Sequence, residues 1–207
     1  AVLDNRPDEG DRVLVIGGGV IGAMIVKAIR GLGIGCTVTV AEPNPFNAGY
    51  IKRSGADHVV SGNIIEAAGR ITGAKAYKPM LGERIVQGGF EKVFDTVGHS
   101  PTLQTALIVT ATGGTVSLVG IGNKVTVDPT PLWLKLQTVK GCYAYGFNDI
   151  GNGSVHAFEI ALDLMDRKSV HVEDMLTHTF SIDRYRELIE ANMNKSRSRA
   201  IKTAIRF

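Results

Sequence analysis

The chain is poor in cysteine, with Cys36 and Cys142 the two in 207 residues and no C-x-x-C pair. That excludes a disulfide scaffold and a thiolate-rich metal knuckle, and both thiols read as small buried hydrophobes. Histidine is sparse as well, and no two of the five have zinc-ligand spacing. No hydrophobic run is long enough to span a bilayer. The longest uncharged stretch, Thr96 to Asn123, is broken by His99, Pro101 and Gly113-Gly114, and the most apolar one, Val13 to Val26, contains four glycines. The residues before it mix Arg6 and Arg12 with Asp4, Asp8, Glu9 and Asp11, so a secretory leader is not expected. A cytoplasmic protein with reduced thiols is the expectation. Charge of one sign is also scarce. The net value is +3, and the last thirteen residues carry five of the positives and no acid, leaving 3 − 5 = −2 for the rest. There is no broad basic face, so neither nucleic acid nor membrane is an expected partner.

What is abundant is glycine, 25 residues in short clusters without a G-X-Y period. Around them, short β-type runs alternate with helical stretches. Val13–Ile16, Thr37–Ala41, Asp57–Val60, the neighbourhood of Val93–Phe94, Thr115–Val119 and Thr138–Tyr143 read as strands. Val20–Leu32, Asn47–Ser54, Ile64–Ile71 and Pro101–Ala111 read as helices, the first with Ile21, Met24, Ile25, Ala28 and Ile29 on one face. The rhythm predicts an α/β class: a Rossmann-type, doubly wound parallel sheet of about six strands with helices on both faces. The strands are almost wholly apolar, as strands covered on both faces must be. Residues 72–89 form a glycine- and proline-containing excursion with a short helix expected near Leu81–Val86, and Lys124–Val127 reads as β-type. Past Gly146 the composition shifts. A helix over Val155–Asp166 with Phe158, Ala161, Leu162 and Met165 on one face, a second over Ile182–Asn192 capped by Ser181, and a closing strand over Ala200–Ile205 are expected. The boundary divides the chain into 1–146 and 147–207.

The chemistry begins at Gly17-Gly18-Gly19-Val20-Ile21-Gly22, a G-x-G-x-x-G that follows a strand and opens a helix. The first glycine allows the tight turn, the second a close approach of backbone to a pyrophosphate, and the third close packing of helix on strand. Free N–H groups and the helix dipole favour an anion there. Glu42 follows Gly22 by twenty residues at the end of the second strand, where a carboxylate meets the two hydroxyls of an adenosine ribose and repels a 2′-phosphate. NAD is therefore favoured over NADP. S-adenosylmethionine is the alternative ligand, since methyltransferases share a glycine-rich first turn and an acid after the second strand. The third glycine favours the dinucleotide.

With those residues placed, the sequence resembles the C-terminal half of the zinc-type medium-chain alcohol dehydrogenases. The resemblance runs through Asp11-Arg12-Val13-Leu14-Val15-Ile16-Gly17, Ser54-Gly55-Ala56-Asp57-His58-Val59-Val60, Val93-Phe94-Asp95-Thr96-Val97-Gly98, Gly113-Gly114-Thr115-Val116, Thr177-His178-Thr179-Phe180 and Ala200-Ile201-Lys202. It implies a pyrophosphate held at Gly17, Gly19, Val20, Ile21 and Gly22, and an adenosine ribose at Glu42. It implies an adenine and ribose side along Thr96, Val97 and Gly98, and a nicotinamide side along Val119, Gly120, Ile121 and the backbone around Cys142. Lys202 would reach the pyrophosphate. The family's zinc ligands lie upstream of the glycine loop, where this chain has sixteen residues and no Cys or His. The expectation is thus a cofactor-binding half without a metal site or catalytic residue of its own. The whole enzyme would be a homo-oligomer, with Trp133 near a subunit contact, that moves hydride between NAD and a small alcohol or carbonyl. The stretch 147–207 would return toward the zinc domain. A non-enzymatic NAD-binding regulatory module is the other reading.

Overall fold

The computed structural model describes residues 1–77, 85–122, 124–150 and 153–207. The chain runs β1 (Arg12–Ile16), α1 (Val20–Gly31), β2 (Thr37–Ala41), α2 (Pro45–Arg53), β3 (His58–Val60), α3 (Ile64–Thr72), β4 (Lys75–Tyr77), β5 (Ile85–Gln87), β6 (Phe90–Asp95), α4 (Ser100–Val109) and β7 (Thr110–Leu118). It continues with α5 (Thr130–Leu134), β8 (Thr138–Gly141), β9 (Phe147–Asp149), β10 (Ser154–His156), α6 (Ala157–Asp166), β11 (Leu176–Ser181), α7 (Tyr185–Met193), the short α8 (Lys195–Ser198) and β12 (Lys202–Arg206). Six strands form one parallel sheet in the order β3-β2-β1-β6-β7-β8, the doubly wound architecture expected from the alternation. None of the described helices is long and apolar enough to cross a membrane.

The period of two along β1 divides the core. Val13 and Val15 face one cluster, with Ala23, Val26 and Ile29 of α1 and Tyr50 and Ile51 of α2. Leu14 and Ile16 face the other, with Ala68 of α3 and Leu103, Ala106 and Leu107 of α4. Each such side chain contributes about 1.5–3 kcal/mol on burial, and both faces of β1 are apolar because both are covered. Reversal of strand order between β1 and β6 opens a crevice at the carboxyl edge of the sheet.

Several elements differ from their sequence reading. Of the helix expected at Leu81–Val86, residues 81–84 lie outside the described set, and Ile85 and Val86 belong to β5, which pairs antiparallel with β4. Lys124–Val127 forms no strand. Side chains of α4 and its first turn take its backbone groups instead, with Ser100 Oγ accepting from Thr126 N–H (2.9 Å) and Gln104 Oε1 accepting from Asp128 N–H (2.6 Å). The α4 helix ends at Val109 rather than Ala111, because Thr110 is already extended (φ −69°, ψ 137°) and opens β7. Val155 pairs with Asn148 in a hairpin, and α6 starts only after His156, whose Nδ1 accepts from Phe158 N–H. The helix predicted from Ile182 opens as a 3-10 turn over Ile182–Arg184, and the Ser181 side chain makes no capping bond. Asn44 caps α2 through bonds from Phe46 and Asn47 N–H, a start two residues earlier than expected.

Helix faces differ too. Met24 and Ala28 of α1 pack against the core cluster, and with the exposed Ile21 they line a cavity shared with Ala157, Ala161 and Leu164 of α6. Phe158, Leu162 and Met165 remain exposed. The later segment is anchored by Lys27, a buried lysine of α1 whose Nζ donates to the His171 carbonyl (2.8 Å) and Asp174 Oδ1 (3.0 Å) beside the Tyr50 ring. Burial, with Asp174 nearby, pushes the Tyr50 phenol up to about 12.

Candidate functional site

The glycine loop sits where β1 hands the chain to α1 at the crevice. Gly17 has φ +100°, a left-handed conformation that favours glycine, and a Cβ there would lie 2.5 Å from Thr96 Oγ1. Gly22 is held more tightly still, since an added Cβ would fall 1.9 Å from the Gly17 carbonyl oxygen. Gly19, at the cap position of α1, faces open space, and the first turn of that helix carries no acid. The loop is thus locked from inside and open outward, with N–H groups at a positive helix end.

Glu42 is buried at the end of β2. Its Oε2 accepts from Gly18 N–H and its Oε1 from Asn44 N–H, each at 2.7 Å. The carboxylate joins the glycine loop to the turn before α2, and each oxygen keeps a lone pair for a further donor. A cleft of about 450 Å³ opens here, lined by Gly17, Glu42, Pro43, Ser61, Val97 and Thr102 among others. It lies between the ends of β1, β2, β3 and β6.

The far wall is built by Asp95, fully buried at the end of β6. Its Oδ1 accepts from Val97 and Gly98 N–H (3.0 and 3.1 Å), its Oδ2 accepts from the Thr102 hydroxyl (3.0 Å), and its carbonyl accepts from Val119 and Gly120 N–H. Asp95 thereby shapes two turns, the one after β6 and the one after β7. Thr96 Oγ1 donates to the Ile16 carbonyl (2.8 Å), fixing the post-β6 turn against the glycine loop. Gly98, Gly120 and Gly122 let the post-β6 and post-β7 backbones meet: a Cβ on Gly98 would lie 2.5 Å from the Gly120 carbonyl oxygen, and one on Gly122 1.7 Å from that of Gly98.

Of the residues predicted from sequence, Gly17, Glu42 and Val97 share the cleft. Gly19, Val20, Ile21 and Gly22 form the adjoining loop and first helical turn, with the Ile21 side chain turned toward α6. Gly98, Val119 and Gly120 meet around Asp95, and Ile121 projects from the tip of that turn. Cys142 follows β8, half-buried, and its N–H donates to the Leu118 carbonyl (2.9 Å). Lys202 is exposed on β12, which pairs with β11 in a separate two-stranded sheet. The sequence reading missed Pro43, Ser61, Gly62 and Thr102. The ends of β2 and β3 pointed to the first three, since every strand of a parallel sheet delivers its following loop to the same edge. Among the described residues, no three His, Cys, Asp or Glu side chains gather as a metal-ligand set.

Comparison with known proteins decides the family: residues 20–167 match the zinc-binding dehydrogenases. The chain belongs to that family. It is 26% identical over 185 residues to the sorbitol dehydrogenase of Macaca fascicularis, covering 87% of this chain and 46% of that protein. It is 28% identical over 172 residues to the L-idonate 5-dehydrogenase of Vitis vinifera, covering 82% and 42%. The chain therefore spans about half the length of the curated relatives it matches. Among solved structures, 2R,3R-butanediol dehydrogenase from Bacillus subtilis superposes with a TM-score of 0.77 at 22% identity, over 100% of this chain and 53% of that one. An alcohol dehydrogenase from Escherichia coli CFT073, complexed with NADH, does so with a TM-score of 0.77 at 19% identity, over 98% and 54%. These likenesses agree with the six-stranded, doubly wound sheet of this zinc-binding dehydrogenase chain.

Proposed function

We propose that this chain is the nicotinamide-dinucleotide-binding half of an alcohol- or polyol-dehydrogenase-like oxidoreductase, with NAD preferred to NADP. The observation that carries the reading is the Glu42 carboxylate, buried in the cleft wall and bonded to Gly18 N–H beside the open end of α1. The residues fit the cofactor. The outward side of the glycine loop is free of side chains, and the helix end supplies N–H donors for a pyrophosphate. Glu42 can accept from ribose hydroxyls and opposes a 2′-phosphate. The α2 helix that follows starts Pro-Phe-Asn, and its basic residues, Lys52 and Arg53, lie in its last turn. A bound nicotinamide dinucleotide supplies a hydride donor or acceptor. This chain's part is to bind and orient it between the Glu42 wall and the Asp95-shaped turns. The described residues offer no ligand set for zinc, and no step here is assigned to a metal. On this reading 1–146 is the cofactor unit, 147–207 packs toward a zinc-bearing domain, and the enzyme is a cytoplasmic oligomer acting on a small alcohol or carbonyl.

Titration by NADH emission tests this. NADH is expected to bind at least about tenfold more tightly than NADPH, with S-adenosylmethionine showing no competition. Glu42→Ala should weaken NADH about tenfold and narrow the gap to NADPH, since a lost hydrogen bond to a charged group amounts to about 1.5–3 kcal/mol. Competition by S-adenosylmethionine, or equal binding in parent and variant, would overturn it.

A further inference from the structure

Among the described residues two acids are buried, Glu42 and Asp95, and neither takes part in an ion pair. They end the strands on either side of β1. The Asp95 carboxylate meets neutral donors: Val97 and Gly98 N–H at Oδ1, and the Thr102 hydroxyl at Oδ2. The turns it supports, Thr96-Val97-Gly98 and Val119-Gly120-Ile121-Gly122, carry no charged side chain. Lys140, the cation on β8, donates instead to the Asp4 carbonyl. A buried charge without a counter-ion is costly, yet the turn does not need one. An asparagine could keep every bond. Its Oδ1 would accept from both N–H groups, and its Nδ2 would donate to Thr102 Oγ1, whose own proton can turn to the His99 carbonyl at 3.0 Å. Hydrogen bonding accounts for the shape of this residue and leaves its charge unexplained.

Location suggests what the charge serves. A dinucleotide in an open parallel sheet crosses the switch point with one half on each side. Glu42, ending β2, takes the adenosine half on the reading proposed above, which this inference rests on. The nicotinamide half then lies on the side of β6 and β7, and Asp95 ends β6. Its ring is a cation in NAD⁺ and neutral in NADH, while adenosine, riboses and pyrophosphate are the same in both. We infer that the Asp95 charge sets the balance between the two redox forms, in favour of NAD⁺. A desolvated carboxylate acts over a longer range than an exposed one, because neither water nor salt screens it fully. The effect on hydride transfer is directional. When the C4–H bond of the reduced ring breaks, its hydride passes to the carbonyl carbon and solvent supplies a proton to the oxygen. Carbonyl plus NADH and H⁺ becomes alcohol plus NAD⁺, and a fixed anion on that side favours the cationic product. Glu42, on the adenosine side, should act on both forms alike.

The test is the ratio of two affinities, with NADH read from its emission and NAD⁺ from its displacement of NADH. Asp95→Asn should weaken NAD⁺ relative to NADH by about threefold or more. Glu42→Gln should weaken both and leave the ratio within about twofold of the parent. Thr102→Val removes a bond from the turn and keeps the charge, so the ratio should again hold. Should Asp95→Asn fail to fold, Asp95→Ser carries the same expectation, since its hydroxyl can accept from the same N–H groups. In the parent the ratio should stay constant from low to about 1 M salt, because a buried charge is screened little. A ratio that collapses with salt assigns the balance to exposed charges and overturns the inference. So does an unchanged ratio in the neutral variant, while NADH binding stands. Absence of NADH binding by the parent overturns the proposed function and this inference together.

Discussion

The sheet and the segment after β8 treat their apolar residues in opposite ways. Val13, Leu14, Val15 and Ile16 of β1 are all buried, because helices cover both faces. Phe147, Leu162, Ile189 and Met193 are at the surface, although they too sit on regular elements. The first region is finished by the chain itself, down to glycines that admit no methyl group. The second buries little besides Leu164, Val170, Met175, Ala191, Ala200 and Ile201. Large exposed apolar surface marks a face that meets something else. Rigidity therefore resides where the cofactor would be held, and the surface left uncovered lies where contacts beyond the sheet are made.

The contrast is broken most severely by filling the first region. Gly22→Ala places its Cβ 1.9 Å from the Gly17 carbonyl oxygen, so helix and strand must separate. A loss of about 3 kcal/mol or more is expected in urea unfolding, with NADH binding lost at any temperature where the variant folds.

A second test sharpens the comparison through charge. Lys135 is buried at the far edge of the sheet, where its Nζ donates to the carbonyls of Val86 (3.2 Å), Ile108 (2.8 Å) and Thr110. Burial lowers its ammonium to about 8 from 10.5. Between those values the unfolded chain holds the proton and the folded chain does not, so stability rises with pH across the window and is flat below it. Linkage alone sets the rise at roughly 3 kcal/mol. The three carbonyl acceptors favour the charged form and make that figure an upper bound. Urea midpoints from pH 7.5 to 10.5 should show the rise in the parent and not in Lys135→Met.

The smallest effect is expected in the second region. Leu162→Glu, on the exposed face of α6, should change unfolding free energy by no more than about 0.5 kcal/mol. A larger loss by the same urea titration would mean that α6 is as self-contained as the sheet.

Much of the fold was legible because its signals are local. A run such as Val13–Ile16 followed by three glycines and a helical repeat admits few arrangements, and Glu42 stands at the end of the next strand. The failures lie where tertiary contacts outweigh pattern. Lys124–Val127 has strand composition, yet Ser100 and Gln104 take backbone groups that a ladder would need. The apolar stripe on α6 is regular, yet Phe158, Leu162 and Met165 stay exposed and Leu164, off that stripe, is the residue of the helix that is buried.

The sequence by itself determined the alternation, the strand faces and the glycine loop with its acid, because periodicity and backbone freedom act over a few residues. Only the tertiary structure decided that Glu42 binds Gly18, that Asp95 ties together the turns after β6 and β7, and that four aromatic and imidazole rings meet beyond β8. The contacts of Glu42 with Gly18 and of Asp95 with Val119 and Gly120 join successive strand ends, and only assembly of the parallel sheet brings those ends within hydrogen-bonding distance.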